Sequence, residues 1–202
     1  MTTLLKYENA KLKSQLIWSI PASMEVCGME CSGCYAIKAQ KQYPSVSVSR
    51  ESRYRISRKS FFPEAITAEL YRYDEWLAAK EVKERTVRIH EAGEFYSEAY
   101  IKKWINIAKD NPKWTFYGFT KRMKEFKSLP KLAKLKNVHI IDSLFTGVVN
   151  YNKTGVIANK ETGNPLFICP STTSKVECHP DICKYCYSDN GASVHGVAFK
   201  QH

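Results

Sequence analysis

Residues 15–43, QLIWSIPASMEVCGMECSGCYAIKAQKQY, carry the order of elements that decides the fold. QLIWSI is a short apolar run, partly β-branched and ended by Pro21, and it reads as a buried strand. After Cys34, YAIKAQKQY has helix-forming composition, and Pro44 supplies a stop. Between them lies CGMECSGC, with Cys27, Cys31 and Cys34 at spacings of four and three. The three cysteines therefore sit in the loop of an opening βα unit.

The same alternation continues along the chain. Ser60 and Pro63 mark a helix start, and Ile66, Leu70, Tyr73 and Leu77 carry its stripe to about residue 84. TVRIHEAGEF, residues 86–95, is a β-rich segment broken by Gly93. Ser97 caps a helix whose Tyr100, Ile101, Trp104, Ile105 and Ala108 share one side. WTFYGF at 114–119 is the third strand, a Lys-rich helical stretch follows from about 122 to 135, and NVHIIDSL is the fourth strand. Strands alternating with helices imply an α/β protein with a parallel sheet. Four units are too few for a closed barrel of eight strands, so the expectation is a partial, open parallel βα barrel of about four to six units over residues 1–145. Residues 146–202 are turn-rich and end in a Cys-rich extension expected to bind a second metal or cluster.

Composition narrows the function classes. No secretory signal and no apolar run of the ~20 residues a spanning helix needs are found, so a cytoplasmic protein with no membrane partner is expected. Disulfides are disfavoured in that compartment, and seven cysteines read first as metal or cluster ligands. The net charge of +11, with 31 Lys and Arg against 20 Asp and Glu, favours an anionic partner such as a nucleotide or nucleic acid. Arg50, Arg53, Arg55, Arg58 and Lys59 crowd into residues 49–59 and are the candidate nucleic-acid contacts; a solvated surface loop is the competing reading. A later run, KLAKLKN at 131–137, adds to the basic charge.

The cysteines divide into three and four with none left over. A structural zinc takes four ligands, whereas three thiolates on a four-iron, four-sulfur cluster leave one iron open to a small molecule. Cys169, Cys178, Cys183 and Cys186 form a complete set, suited to a second four-iron cluster or to zinc; His179 could join a zinc site. Alternation along the second strand puts Arg88, His90, Ala92 and Glu94 on one face, pointing to a polar cavity that Thr120, Lys121 and Asp142 could share. An edge strand facing water is the alternative.

The CxxxCxxC spacing between a first strand and a first helix resembles the radical S-adenosylmethionine superfamily. Ala92, Gly93 and Glu94 resemble its GGE motif; where the superfamily usually has an aromatic just before the third cysteine, Gly33 precedes Cys34 here and Tyr35 follows it. The resemblance implies a catalytic four-iron cluster at Cys27, Cys31 and Cys34, S-adenosylmethionine held by Tyr35, Ala92, Gly93 and Glu94, an external electron donor, and Arg88 and His90 as catalytic residues that position the substrate. More narrowly, CYA after Cys34, RIHEAGEFYSEAYIKKWINIA, TFYGFTK and the terminal cysteines resemble a phage-associated family, gene product eighty-eight, which implies a host-cytoplasmic location. The competing function is a non-catalytic iron–sulfur or zinc protein that binds nucleic acid.

Overall fold

A computed structural model describes residues 3–28 and 34–142 together with 150–151, 157–158, 167–168, 178, 183, 186 and 197–198. Its centre is an open five-stranded sheet in the order β1 (Lys6–Tyr7), β2 (Leu16–Trp18), β3 (Thr86–Ile89), β4 (Thr115–Thr120) and β5 (Val138–Asp142). β1 runs antiparallel to β2, and the other neighbours are parallel. The expected α/β alternation and open parallel sheet are present; no closure into a barrel occurs among the described strands. Short pairs β6 (Asn150–Tyr151) with β7 (Ile157–Ala158), and β8 (Phe167–Ile168) with β9 (Val197–Ala198), form two further small sheets.

Between β2 and β3 lie α1 (Met24–Cys27), α2 (Tyr35–Gln42), α3 (Pro44–Ser57) and α4 (Phe62–Ala79); α5 (Glu98–Asp110) and α6 (Leu129–Ala133) follow β3 and β4. Pro44 ends one helix and opens the next, because a proline at the first helical position gives up an N–H that has no partner there. Residues 49–59, for which a surface loop was the competing reading, therefore lie mostly within α3. Ser97 caps α5, its side chain accepting from the Tyr100 N–H at 3.2 Å. The expected helix over 122–135 shrinks to α6, since Pro130 can sit only in a first turn.

Register explains the two faces of the sheet. Leu16, Val87, Phe116 and Val138 lie side by side, as do Trp18, Ile89, Gly118 and Ile140, and all but Gly118 join the core built with Phe62, Ile66, Tyr100, Trp104 and Leu132 from the helices. The intervening row, Ile17, Arg88, Tyr117 and His139, faces the other way. That second face receives the C-terminal segment: Cys178 forms a bridge with Leu12, donating to the Lys11 carbonyl and accepting from the Lys13 N–H, each at 2.9 Å.

Candidate functional site at the strand ends

β2 ends at Trp18, and the chain then turns through Ser23, whose hydroxyl accepts from Val26 N–H at 3.3 Å and caps the short α1. Cys27 closes that helix, and Gly28 follows in the left-handed region at φ +67°. Cys34 stands at the N-cap of α2. Both cysteines are half-buried and pack, with Ile37, on the small cluster of Ala22, Ala36 and Ala92. The structure thus brings two of the three expected ligands onto a cluster that includes the first residue of the AGE turn. Cys31 and Cys169 lie outside the described residues. Among the described residues, no group of three or more His, Cys, Asp or Glu side chains is close enough to hold a metal ion.

The AGE turn is fixed by neighbouring strand ends. Glu91 N–H donates to the Trp18 carbonyl at 3.2 Å, and Ile20 N–H donates to the Ala92 carbonyl at 3.0 Å. Gly93 adopts φ +91°, and a Cβ there would stand 2.3 Å from Ile20 Cγ1 and 2.9 Å from the Ile20 carbonyl oxygen, so only glycine fits. Buried Glu94 accepts from Phe95 N–H at 2.8 Å, Thr120 Oγ1 at 2.8 Å and Lys121 N–H at 3.1 Å. Burial raises its pKa, and those three donors oppose the rise. Thr120 and Lys121 therefore do meet Glu94, as their place at the end of β4 suggested.

Arg88 and His90 do not share a face. The strand stops at Ile89, and His90 takes φ +57°, which breaks the alternation and turns its ring toward the helices. There it packs on Phe95 and Tyr100, with Nε2 at 2.9 Å from the Tyr100 hydroxyl, which also accepts from Trp18 Nε1 at 2.8 Å. Burial, and secondarily the charge of Arg88, pull the His90 pKa down to about 3, so it is neutral at physiological pH.

Arg88 instead lies on the second face, its guanidinium 4.2 Å from the Phe119 ring centroid and 5.1 Å from that of Tyr117. Its Nε is buried and has no hydrogen-bond partner among the described residues. Burial holds the Tyr117 phenol far above its ordinary pKa; Arg88 opposes this, and Cys178 and Cys186 add to it. Tyr117 also donates to Gln15 Oε1, and Gln15 Nε2 donates to the Cys178 carbonyl at 3.3 Å. Tyr35, exposed along its ring, donates its hydroxyl to the Glu91 carbonyl, and its pKa is raised by desolvation of that hydroxyl and then by the Glu91 carboxylate. The charge of Arg88 acts on Tyr35 as well as on Tyr117.

Several residues at this site carried no signal in the sequence. Glu91 pairs with Arg50 at 3.2 Å and accepts from the Ser19 hydroxyl at 3.0 Å. Gln40 Oε1 accepts from Ala22 N–H at 2.7 Å. Arg122 lies against Gly28, where an added Cβ would meet its Cζ at 3.3 Å, and it donates to the Phe95 carbonyl at 3.2 Å. Only the adjacency of Glu91 to the AGE turn could have marked any of them.

The basic residues of 49–59 divide sharply. Arg50 is buried and donates to the Ala36 carbonyl at 3.0 Å and Gln40 Oε1 at 3.2 Å, besides its pair with Glu91. Arg53 donates to the Leu4 carbonyl at 2.6 Å and the Thr3 carbonyl at 3.5 Å. Arg55, Arg58 and Lys59 are exposed. Arg55 lies 3.9 Å from Glu51, and Arg58 lies over the Tyr54 ring at 5.7 Å.

No helix among the described residues is long and apolar enough to cross a membrane. No curated protein and no solved structure matches the chain, and no radical S-adenosylmethionine family model does. The Gene product 88 family model matches residues 3–175, which take in the first cysteine loop, the AGE turn and Cys169 but stop short of Cys178, Cys183 and Cys186. By that match over most of its length, the chain belongs to the Gene product 88 family of phage proteins.

Proposed function

We propose that this protein is an iron–sulfur enzyme of radical S-adenosylmethionine type acting on an anionic substrate. The observation that carries the reading is that Cys27 and Cys34 pack on one small cluster that includes Ala92, which sets the cysteine loop beside the glycine-containing turn at the end of the next strand. The donor set fits the group: two half-buried cysteines on one small cluster of alanines, with Cys31 in the same loop as the third ligand. When bound, a four-iron cluster with one iron free of protein ligands supplies the electron that cleaves S-adenosylmethionine to a 5′-deoxyadenosyl radical.

The chain's own residues then have separate tasks. Gly93 lets backbone approach backbone, and Glu94, with three donors, locks the end of β4 to the AGE turn. Arg88, with a buried Nε lacking a partner and aromatic rings beneath it, presents a cation to a substrate anion on the second face. His90 stays neutral and braces the strand end through Tyr100 as a positioning residue. In this reading residues 1–145 form a partial-barrel core, and residues 146–202 bring a second cluster or zinc at Cys169, Cys178, Cys183 and Cys186 toward Tyr117. The location is the host cytoplasm, and an electron donor of the host or phage completes the cycle.

The test is anaerobic reconstitution of the full chain with iron and sulfide. Electron paramagnetic resonance is recorded before and after adding S-adenosylmethionine, and 5′-deoxyadenosine release is measured on reduction. A signal perturbed by S-adenosylmethionine and nucleoside release support the proposal; a cluster indifferent to S-adenosylmethionine, or zinc in place of iron, refutes it. Replacing Cys27, Cys31 and Cys34 together should remove about half the iron if the terminal site holds a four-iron cluster, and nearly all of it if that site holds zinc.

A further inference from the structure

Residues 121–136, KRMKEFKSLPKLAKLK, hold seven cations and one acid, Glu125. Arg122 takes that acid, with Nε 2.7 Å from the Glu125 carboxylate, and its guanidinium lies over the Phe126 ring at 4.6 Å. Inward-facing Leu129 and Leu132 seat α6 on the core, and Met123 and Phe126 pack against it. What remains outside is lysine. Lys124, Lys127, Lys131, Lys134 and Lys136 are all exposed, and among the described residues none has a carboxylate within ion-pair distance.

We infer that this face binds the phosphate backbone of nucleic acid. Five unpaired ammonium groups on one short segment create a positive field with no internal use. No exposed large apolar side chain lies between 121 and 136. A protein interface concentrates aromatic and apolar anchors and is depleted in lysine, and a membrane-surface helix needs an apolar face to bury. Phosphate contact requires neither. Phosphate contacts carry no sequence information, so binding is indifferent to sequence. The segment begins at the candidate site, because Arg122 lies against Gly28 beside Cys27. A strand held on the lysines is thereby led toward the cysteine loop, which deepens the proposed function by naming nucleic acid as the class of its anionic substrate and rests on that reading for the chemistry alone.

The experiment uses the full chain and a fluorescein-labelled duplex, in two unrelated sequences, with anisotropy followed as a function of sodium chloride. If Lys124, Lys127, Lys131 and Lys134 each neutralise one phosphate, log K falls against log salt with a slope of about −3.6, or roughly a hundredfold between about 50 and 200 mM. Lys124→Gln with Lys127→Gln should reduce the slope magnitude by about 1.8, and the fourfold Gln variant should flatten it nearly to zero while far-ultraviolet circular dichroism is unchanged. Retained binding in the fourfold variant, marked preference for one sequence, or equal affinity for polyglutamate or anionic vesicles in competition overturns the inference. Release of 5′-deoxyadenosine from S-adenosylmethionine alone is measured on the same variants: its loss in wild type would strike the cofactor reading, and lost salt-dependent binding would strike only this surface.

Discussion

Residues 49–59 and 121–136 have nearly the same density of positive charge: five cations and one acid in eleven residues, against seven and one in sixteen. Their fates differ because their hydrophobic anchoring differs. α3 is long enough to lie along the N-terminal strand and the AGE turn, so part of its basic face meets carbonyl groups and Glu91 and is drawn inside. α6 presents two leucines inward within a single short turn, and its lysines have no buried acceptor within reach. Charge density therefore indicates neither function nor solvation until the partners of each cation are known. In the first segment Arg50 and Arg53 are taken up by internal partners, and the second remains open to a partner.

The largest effect that would sharpen this contrast is at Arg50. Arg50→Ala removes the cation from a buried position and leaves Glu91, itself only 26% exposed, without its partner. Loss of the pair and of the donors to Ala36 and Gln40 should cost about 3 kcal/mol in urea unfolding, with duplex affinity unchanged once folded protein is compared. A stable variant with weakened nucleic-acid binding would erase the distinction between the two segments.

His90 extends the same sorting to β3, where a basic side chain is turned into the core while Arg88 stays on the other face. Its folded-state pKa of about 3 lies below the ordinary 6.5, so between these values the unfolded chain binds a proton that the folded one does not. Stability is therefore held in full above about pH 6.5 and falls as pH drops toward 3, by up to about 1.4 kcal/mol per pH unit from this residue. His90→Asn, which tolerates positive φ and does not titrate there, should reduce that slope relative to wild type in unfolding curves from pH 6.5 to 4. Equal slopes would mean the ring is reached by water.

How far the sequence disclosed these differences depends on range. The stripe Tyr100, Ile101, Trp104 and Ala108 located α5 because helical periodicity is local, and WTFYGF located β4 for the same reason. That Cys27 and Cys34 lie together at the strand ends was legible from their place in the loop after the first strand, and they pack on a cluster that includes Ala92 of the AGE turn. The placement of His90 was not legible: alternation assumes extended backbone, and one left-handed residue after Ile89 reverses the side on which the ring falls. Nor was the burial of Arg50, since it depends on Glu91 and Gln40 arriving from other elements. Asp142 closes β5 as expected, and its side chain lies outside what the structure describes.

Arg53 is intermediate between the two fates. Its donors reach the Leu4 and Thr3 carbonyls and tie α3 to the segment leading into β1, whose Leu4 and Leu5 N–H groups are held at 2.7 Å each by buried Glu69. Arg53→Ala should cost about 1–2 kcal/mol, the usual worth of charge-assisted hydrogen bonds to backbone. Arg53→Lys, which keeps the charge without the planar fork, should recover only part of it. Full recovery by lysine would show that α3 is held by charge rather than by the geometry of its donors.

The smallest effect bears hardest on the comparison. Arg55 and Arg58 belong by sequence to the basic cluster of α3 but face water, and their contacts, an ion pair at 3.9 Å and a ring at 5.7 Å, are of the kind that contribute at most about 0.5 kcal/mol each at a surface. The double variant Arg55→Ala with Arg58→Ala should leave the unfolding free energy within about 1 kcal/mol of wild type. If the phosphate contacts lie along the lysines of 121–136 alone, it should also leave the salt slope of duplex binding within about 0.3 of its original value. A slope reduced by about 1.8 would mean that both arginines contact phosphate, and the nucleic-acid surface would then run from α3 across to α6 rather than along the lysines alone. Since this variant disturbs nothing buried, such a result could not be ascribed to unfolding, which makes the mildest substitution the most discriminating one.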